Sequence, residues 1–197
     1  MIATRRFLLR DFAPADRAAF LVYHADPRYL ALYGPEEADP GHASGLLECF
    51  ALWAGERPRR NWQLAVVRRD GKALVGCCGL RRAGCEEGSA EIGVELAPAY
   101  WGRHGVALEI ARALIGLGFG ELGLERLFGV TTSANVRAAR LAAWFGAAET
   151  GSRPGPAWMQ ARGWSETTWQ VSREAWRMRG GDGPAPVQPQ GPERRRP

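Results

Sequence analysis

The sequence predicts a mixed α/β (α+β) domain built on a mostly antiparallel, twisted sheet with flanking helices. Residues 62–68 and 73–81 are rich in apolar residues and flank an Asp-Gly turn, which is the pattern of a β-hairpin. Two later strand-like runs, 90–96 and 126–132, are each followed by apolar residues at helical spacing. This order predicts that the two runs are parallel neighbours, with a ligand at their carboxyl ends.

The N-terminal part of the chain supplies a strand, a helix and a less regular segment. Residues 4–12 have strand length, and Pro14 with Asp16 marks a helix start. The prolines, glycines and aromatic residues of 26–45 predict irregular structure with short helical pieces, which in a compact domain often covers a binding site. Helical spacing resumes over 46–53.

The C-terminal half completes the predicted sheet. Asn135 heads a helix that ends at Gly146, and two further β-like runs follow at 155–162 and 167–173. The sheet therefore has about seven predicted strands. We expect one domain over residues 1–176 and a disordered Pro/Gly/Arg-rich tail over 177–197.

The chain has a formal net charge of +5 and an isoelectric point near 9.4. Part of the excess is the terminal cluster at 194–196, and one terminal cluster does not make a binding face for nucleic acid. A basic protein also suits an anionic cofactor. No membrane-length apolar run and no secretory core is present, which predicts a cytoplasmic protein without a membrane partner.

The four cysteines are interpreted as reduced packing residues. They contain no CxxC spacing, and strand neighbours such as Cys77 and Cys78 point to opposite faces, which suits neither a shared metal nor a mutual disulfide. We therefore expect no metal site.

The stretch 90–107 is read as a buried strand that enters a Gly-rich turn and then a helix. Glycines let the backbone approach a ligand closely, and the first N–H groups of a helix attract an anion. Arg103 and His104 add positive charge to the same turn. The alternative interpretation is an ordinary strand-to-helix connection.

The order of these elements resembles the GNAT superfamily of acyl-CoA-dependent N-acyltransferases over residues 4–173. Within it, Glu91-Ile92-Gly93 and Tyr100-Trp101-Gly102-Arg103 resemble the branch that includes ribosomal-protein N-terminal acetyltransferases. Residues 135–138, followed by Gly146, are similar to the family helix that flanks pantetheine. The resemblance implies an acyl-CoA donor such as acetyl-CoA, an amine acceptor and a possible homodimer. It implies these cofactor-binding residues: Val94, Glu95, Leu96, Gly102, Arg103, His104, Gly105, Val106, Ala107, Asn135 and Arg140.

The catalytic candidates are Glu91 and Glu95. By resemblance, Glu91 holds the place of the family glutamate that deprotonates the acceptor, directly or through water. In a regular strand both carboxylates lie on the face of Gly93, about 13 Å apart at roughly 3.3 Å per residue. That spacing is too large for a catalytic pair. One of them is expected to act as base and the other to bind the acceptor, or to face away if the strand bulges.

The sequence departs from the family pattern in two features, the phosphate motif and the group that protonates the leaving thiolate. Gly102 stands where the phosphate motif usually has Gln or Arg, and His104 is one extra loop residue. Ala142 replaces the tyrosine that protonates the leaving thiolate in many relatives, and Ala138 replaces the serine of the ribosomal branch. A thiol with a pKa near 8.5 leaves as thiolate at a cost of only about 2 kcal/mol at pH 7, so water suffices to protonate it later.

We therefore expect an N-acetyltransferase that acts on a protein N-terminus or a small-molecule amine. Three alternatives stay open at this point: a longer acyl-CoA donor, an acyl-carrier-protein donor, and a non-catalytic module that binds acyl-CoA or DNA. The residues of 26–60 and the final strand pair are expected to shape the acceptor pocket.

Overall fold

The computed structural model describes residues 1–103 and 105–180, which form one sheet of eight strands in the order β1-β2-β3-β4-β5-β6-β8-β7. Neighbouring strands in this part of the chain are antiparallel, except that β5 and β6 are parallel. The strands are β1 Ile2–Ala3, β2 Phe7–Arg10, β3 Asn61–Arg68, β4 Leu74–Arg81, β5 Ser89–Leu96, β6 Arg126–Thr132, β7 Ala148–Pro154 and β8 Ser165–Ser172.

Helices cover both faces of the sheet. They are α1 Arg17–His24, α2 Pro27–Leu30, α3 His42–Gly55, α4 Val106–Gly116, α5 Val136–Trp144, α6 Ala157–Gln160 and α7 Arg173–Met178. Helices α1, α2 and α3 pack on one face through Phe20, Tyr29 and Phe50, whereas α4 packs on the other through Ile110 and Leu114. No helix in the described ranges is long and apolar enough to cross a membrane.

The alternation along β4 divides the core in two. Cys77 is buried against α1–α3, and Cys78 is buried on the α4 face. The predicted opposite orientation of these two cysteines is thus confirmed, and all four cysteines are free thiols. The predicted hairpin is confirmed as β3–β4, and the predicted parallel pair is β5–β6. A two-residue β1 brings the strand count from about seven to eight.

The predicted strand at 155–162 is wrong. The edge strand β7 precedes it, and residues 157–160 form the short helix α6. All seven residues of β7 are exposed, so this strand has no hydrophobic alternation to reveal it. The apolar residues that suggested a strand belong to α6, where Met159 is buried. Most of the predicted tail, 177–197, lies outside the described residues, although α7 continues to Met178.

Candidate active site

The central strands β5 and β6 separate after a short parallel contact. Their register pairs run from Ser89–Arg126 to Glu91–Phe128. One residue further on, the carbonyl oxygen of Ile92 still lies 3.2 Å from the position that a Cβ on Gly129 would occupy. Beyond this point β5 continues to Leu96 with a half-exposed segment, 91–95, in the middle of the sheet. The two strands are not paired beyond this point, and we call the space between their carboxyl ends the β5–β6 gap.

The backbone of β5 directs alternate residues into this gap. Ile92 points its carbonyl toward β6, and the Leu96 carbonyl accepts a hydrogen bond from Trp101 Nε1 at 2.7 Å. The Ala97 N–H points the other way, toward β4, and donates to the Val75 carbonyl at 2.8 Å. Because the direction of the backbone groups alternates along a strand, the N–H and C=O of Val94 face the gap. An extended chain with amide groups could hydrogen-bond to them there, as an additional strand does.

The Gly-rich turn lies at the carboxyl end of β5. Gly102 and Gly105 have φ values of +67° and +65°, a left-handed conformation that a side chain disfavours. Gly105 is the N-cap of α4, so the first N–H groups of the helix, those of Val106 and Ala107 among them, lack intrahelical acceptors. The Val106 N–H bonds to the Arg103 carbonyl at 3.0 Å. His104, a predicted phosphate ligand, lies outside the described residues.

Helix α5 is tied to this turn by a cation–π contact. The guanidinium carbon of Arg137 lies 4.8 Å from the centre of the Trp101 ring, whereas Arg140 is exposed and further along the helix. Asn135 caps α5, because its Oδ1 accepts a hydrogen bond from the Ala138 N–H at 3.2 Å. The predicted cap is therefore present. The gap, the two-glycine turn and the start of α4 could hold an extended amide chain and a diphosphate, and the assignment of Val94 and the turn to acyl-CoA stays a prediction.

Glu95 is the centre of a network of hydroxyl donors. Its Oε1 accepts a hydrogen bond from Tyr23 Oη at 2.6 Å, and its Oε2 accepts one from Tyr29 Oη at 2.8 Å. His24 Nε2 lies 3.1 Å from Oε1 and donates to it, because an ionised carboxylate only accepts hydrogen bonds, and His24 Nδ1 has no partner among the described residues. The Glu95 side chain is still 23% exposed. These bonds fix the position of the carboxylate, while part of the side chain stays accessible.

The network keeps Glu95 ionised. Burial alone raises the pKa of this carboxyl, but the hydrogen bond and the charge of His24, with the bonds from Tyr23 and Tyr29, lower it below the ordinary value. Burial and the Glu95 charge also raise the pKa values of Tyr23 and Tyr29. Both tyrosines therefore stay protonated and act as donors at neutral pH.

Glu91 is held by a guanidinium. Arg81 Nη2 donates to Glu91 Oε1 at 2.9 Å and Arg81 Nε to Oε2 at 3.3 Å, while Arg81 Nη1 donates to Gln63 Oε1 at 3.2 Å. The same guanidinium lies 3.2 Å from the position of a Cβ on Gly93. Glu91, Gly93 and Glu95 therefore share one face, as predicted, and the β4–β5 register has no bulge over them.

A cavity of about 300 Å³ opens on this face, and Glu95 and Arg81 lie on its wall. The rest of its lining is mostly apolar and comes chiefly from α1 and α3, with Gln63 and Cys77 from the sheet; the aromatic part is Phe20, Phe50 and Trp53. Trp53 belongs to the segment 26–60, which the sequence predicts to shape the acceptor pocket. Four other tryptophans do not line this cavity: Trp62, Trp158, Trp164 and Trp169.

The sequence did not single out Tyr23, His24, Tyr29 or Arg81 as site residues. Tyr23 follows the apolar spacing of the first predicted helix, and Tyr29 is one aromatic residue of an irregular segment. The one available signal was the excess of tyrosine over 23–33 in a segment expected to cover a site. In the described ranges, no group of three or more His, Cys, Asp or Glu side chains is arranged to hold a metal ion.

Comparisons with known proteins place this architecture in one family. The model of the acetyltransferase (GNAT) domain matches residues 6–148. An uncharacterized N-acetyltransferase of Bacillus subtilis, YoaA, is 30% identical over 142 residues, which cover 72% of this chain and 78% of the relative. A second N-acetyltransferase, p20 of Bacillus licheniformis, is 28% identical over 127 residues, which cover 63% and 68%.

Solved structures agree at the level of the fold. A GNAT-family acetyltransferase from Bacillus anthracis superposes with a TM-score of 0.70 at 22% identity, over 88% of this chain and 98% of that chain. A spermidine N-acetyltransferase chimera from Vibrio cholerae and a second parent superposes with a TM-score of 0.69 at 17% identity, over 86% and 97%. The family model spans most of the chain, and the solved structures share its fold. The protein therefore belongs to the GNAT family of acetyltransferases.

Proposed function

We propose that this protein transfers the acetyl group of acetyl-CoA to the primary amine of a small molecule or of a peptide N-terminus. The observation that carries the proposal is the position of Glu95: the strand that borders the β5–β6 gap also presents this ionised carboxylate to the 300 Å³ cavity. Donor and acceptor thus approach β5 from its two exposed sides. The resemblance to the ribosomal-protein branch supports the peptide form of the acceptor.

The reaction needs a neutral amine that attacks the thioester carbonyl. The C–N bond forms as the C–S bond breaks, CoA leaves as thiolate with the electron pair, and the surplus proton of the attacking nitrogen passes to Glu95 and then to solvent. Backbone N–H groups of β5 that face the gap stabilise the carbonyl oxygen as it gains charge. In this proposal no side chain protonates the thiolate, since residues 138 and 142 are alanines.

Glu95 and Glu91 take different roles. Both oxygens of Glu91 accept from Arg81, so we assign Glu91 to holding Arg81 in the cavity wall. Glu95 is ionised and faces the cavity, where it binds the acceptor amine and accepts its second proton during attack. The surrounding aromatic and aliphatic side chains favour an acceptor with an apolar body next to its amine.

We expect the pH dependence of kcat/KM to be set by the pKa of the acceptor amine and not by the pKa of a group of the protein. Because the pKa of Glu95 lies below its ordinary value, Glu95 is ionised throughout an assay range of about pH 5.5–9.5. Its pKa is also at least about 3 units below that of an amine, so Glu95 is too weak a base to deprotonate a free ammonium. The amine must first lose a proton to water. The ratio kcat/KM should therefore rise about tenfold per pH unit until the pKa of the amine, which is about 8 for a peptide N-terminus and about 10.4 for a lysine-like amine.

Steady-state rates with one acceptor of each kind test this expectation. The rising limb should move by about two pH units between them. A limb that stays at the same pH for both acceptors would mean that a protein group titrates, and it would contradict this role for Glu95.

Two measurements test the function itself. Calorimetric titrations with CoA, acetyl-CoA and longer acyl-CoAs should show binding, with turnover highest for acetyl-CoA. Mass spectrometry of a library of small amines and N-terminal peptides after incubation with acetyl-CoA should show a mass increase of one acetyl group on the acceptor. Absence of CoA binding would reject the proposal, and preference for a longer acyl chain would replace the donor.

A further inference from the structure

We propose that a second cavity, next to the Gly-rich turn, binds a phosphate group in addition to the CoA diphosphate. This cavity of about 450 Å³ lies between the β1–β2 turn, the β3–β4 turn and the start of α4, and we call it the arginine cavity. Its floor includes Phe7, Tyr100 and Val106. Because it adjoins the turn assigned to CoA, the inference rests in part on the proposed function. Five guanidinium groups line it: Arg5, Arg6, Arg68, Arg69 and Arg103.

The positive charge of this cavity is only partly compensated. Arg68 pairs with Asp70, and Arg6 Nε pairs with Glu109 Oε2 at 2.6 Å. Within residues 1–103 and 105–180, no carboxylate oxygen lies within 4.0 Å of a guanidinium nitrogen of the other three arginines, Arg5, Arg69 and Arg103. The Asp70 carboxylate also lines the cavity, but it is paired with Arg68. The other three guanidinium charges therefore lie there without a paired carboxylate, and a bound anion would relieve their mutual repulsion.

The arginine-bearing turns are held in place by the fold. The Arg69 N–H donates to the Arg6 carbonyl at 2.9 Å, and Arg69 Nη1 donates to the Thr4 carbonyl at 3.1 Å, which joins the two hairpin turns. Val106 is the first residue of α4, so the positive end of the helix dipole lies on the same wall. The cationic groups thus converge on one volume before any ligand binds.

The chemistry of the lining favours phosphate. Guanidinium groups match the oxygen geometry of phosphate with paired hydrogen bonds, and Tyr100 adds a hydroxyl group. The volume is in the range of small-molecule sites. Two sources supply such a group: the 3′-phosphate of a CoA bound on the neighbouring turn, or a separate small phosphate that would regulate the enzyme.

The test compares a double variant with a matched control of equal charge. Arg5→Gln with Arg69→Gln removes two cavity charges outside the residues assigned to CoA or amine. Arg17→Gln with Arg60→Gln removes two exposed charges that do not line the cavity. The probe is inorganic pyrophosphate, titrated calorimetrically at constant low salt into free protein and into protein saturated with dephospho-CoA or with CoA.

We expect pyrophosphate to bind wild-type protein saturated with dephospho-CoA, and to bind the Arg5/Arg69 variant about tenfold or more weakly, while the control variant binds as wild type does. If CoA blocks pyrophosphate but dephospho-CoA does not, the 3′-phosphate is the natural occupant. If pyrophosphate binds beside CoA, the ligand is a separate anion. Equal affinity of wild type and the Arg5/Arg69 variant, or no pyrophosphate binding by wild type, would overturn the inference. Protein that binds no CoA would refute the proposed function, yet the comparison of variants in free protein would still test the cavity.

Discussion

Replacement of Glu95 by Gln should lower kcat/KM for the amine by about 100-fold or more, with little change in the affinity for acetyl-CoA. The amide has nearly the shape of the carboxylate, and it still accepts a hydrogen bond from Tyr23 or Tyr29. It carries no charge for the acceptor and cannot take the proton of the attacking nitrogen. Steady-state kinetics with the best acceptor, together with calorimetry of acetyl-CoA, separate these two effects.

Glu91→Gln is the matched control for this prediction. It removes a carboxylate of the same strand and face, and we expect a loss below about tenfold, because a half-exposed ion pair contributes about 1 kcal/mol or less. Circular dichroism should confirm that both variants are folded. If Glu91→Gln abolishes turnover while Glu95→Gln remains active, Glu91 is the base, and the assignment made from the cavity is reversed.

Replacement of Gly76 by Ala should destabilise the fold by about 3 kcal/mol or more. A Cβ on Gly76 would lie 2.1 Å from the carbonyl oxygen of Glu95 and 2.8 Å from the Cα of Leu96. Both are backbone atoms of the neighbouring strand, so no rotamer change can relieve the contact, and β4 and β5 must separate. The denaturant midpoint in urea measures the loss of stability.

The companion variant for Gly76→Ala is Gly45→Ala. Gly45 is exposed inside α3, and a Cβ there would meet nothing within 4 Å. Alanine restricts the unfolded chain and favours the helix, so this variant should gain about 0.4–1 kcal/mol. The same substitution thus has opposite signs at the two sites. A urea midpoint for Gly76→Ala equal to that of wild type would show that β4 and β5 lie further apart at Gly76 than these distances indicate.

Because Glu95 lies on the displaced strand, Gly76→Ala should also impair activity in whatever fraction of the protein remains folded. Gly45→Ala should leave activity unchanged. The pair therefore distinguishes a loss of stability at the core of the sheet from a general effect of adding a methyl group.

The Gly-rich turn and the parallel strand pair were readable from the sequence because their signals are local. Gly102 and Gly105 are the residues that a left-handed turn requires, and the spacing after Gly105 gives the buried face of α4. The hairpin β3–β4 followed from its Asp-Gly turn in the same way. The edge strand β7 was missed because every one of its residues is exposed, so no periodicity marks it.

The sequence alone predicts the family fold, the position of the Gly-rich turn, and two candidate glutamates on one face of β5. Only the tertiary structure shows how the surroundings of those glutamates differ. Arg81 comes from β4 and forms an ion pair with Glu91. Tyr23 and His24 come from α1 and Tyr29 from α2, and these three surround Glu95. The role of a carboxylate depends on the charges and donors within a few ångströms of it, and here those groups lie up to 72 positions away in the chain. Strand periodicity fixes the face of a side chain, but only the packing of distant elements decides its neighbours.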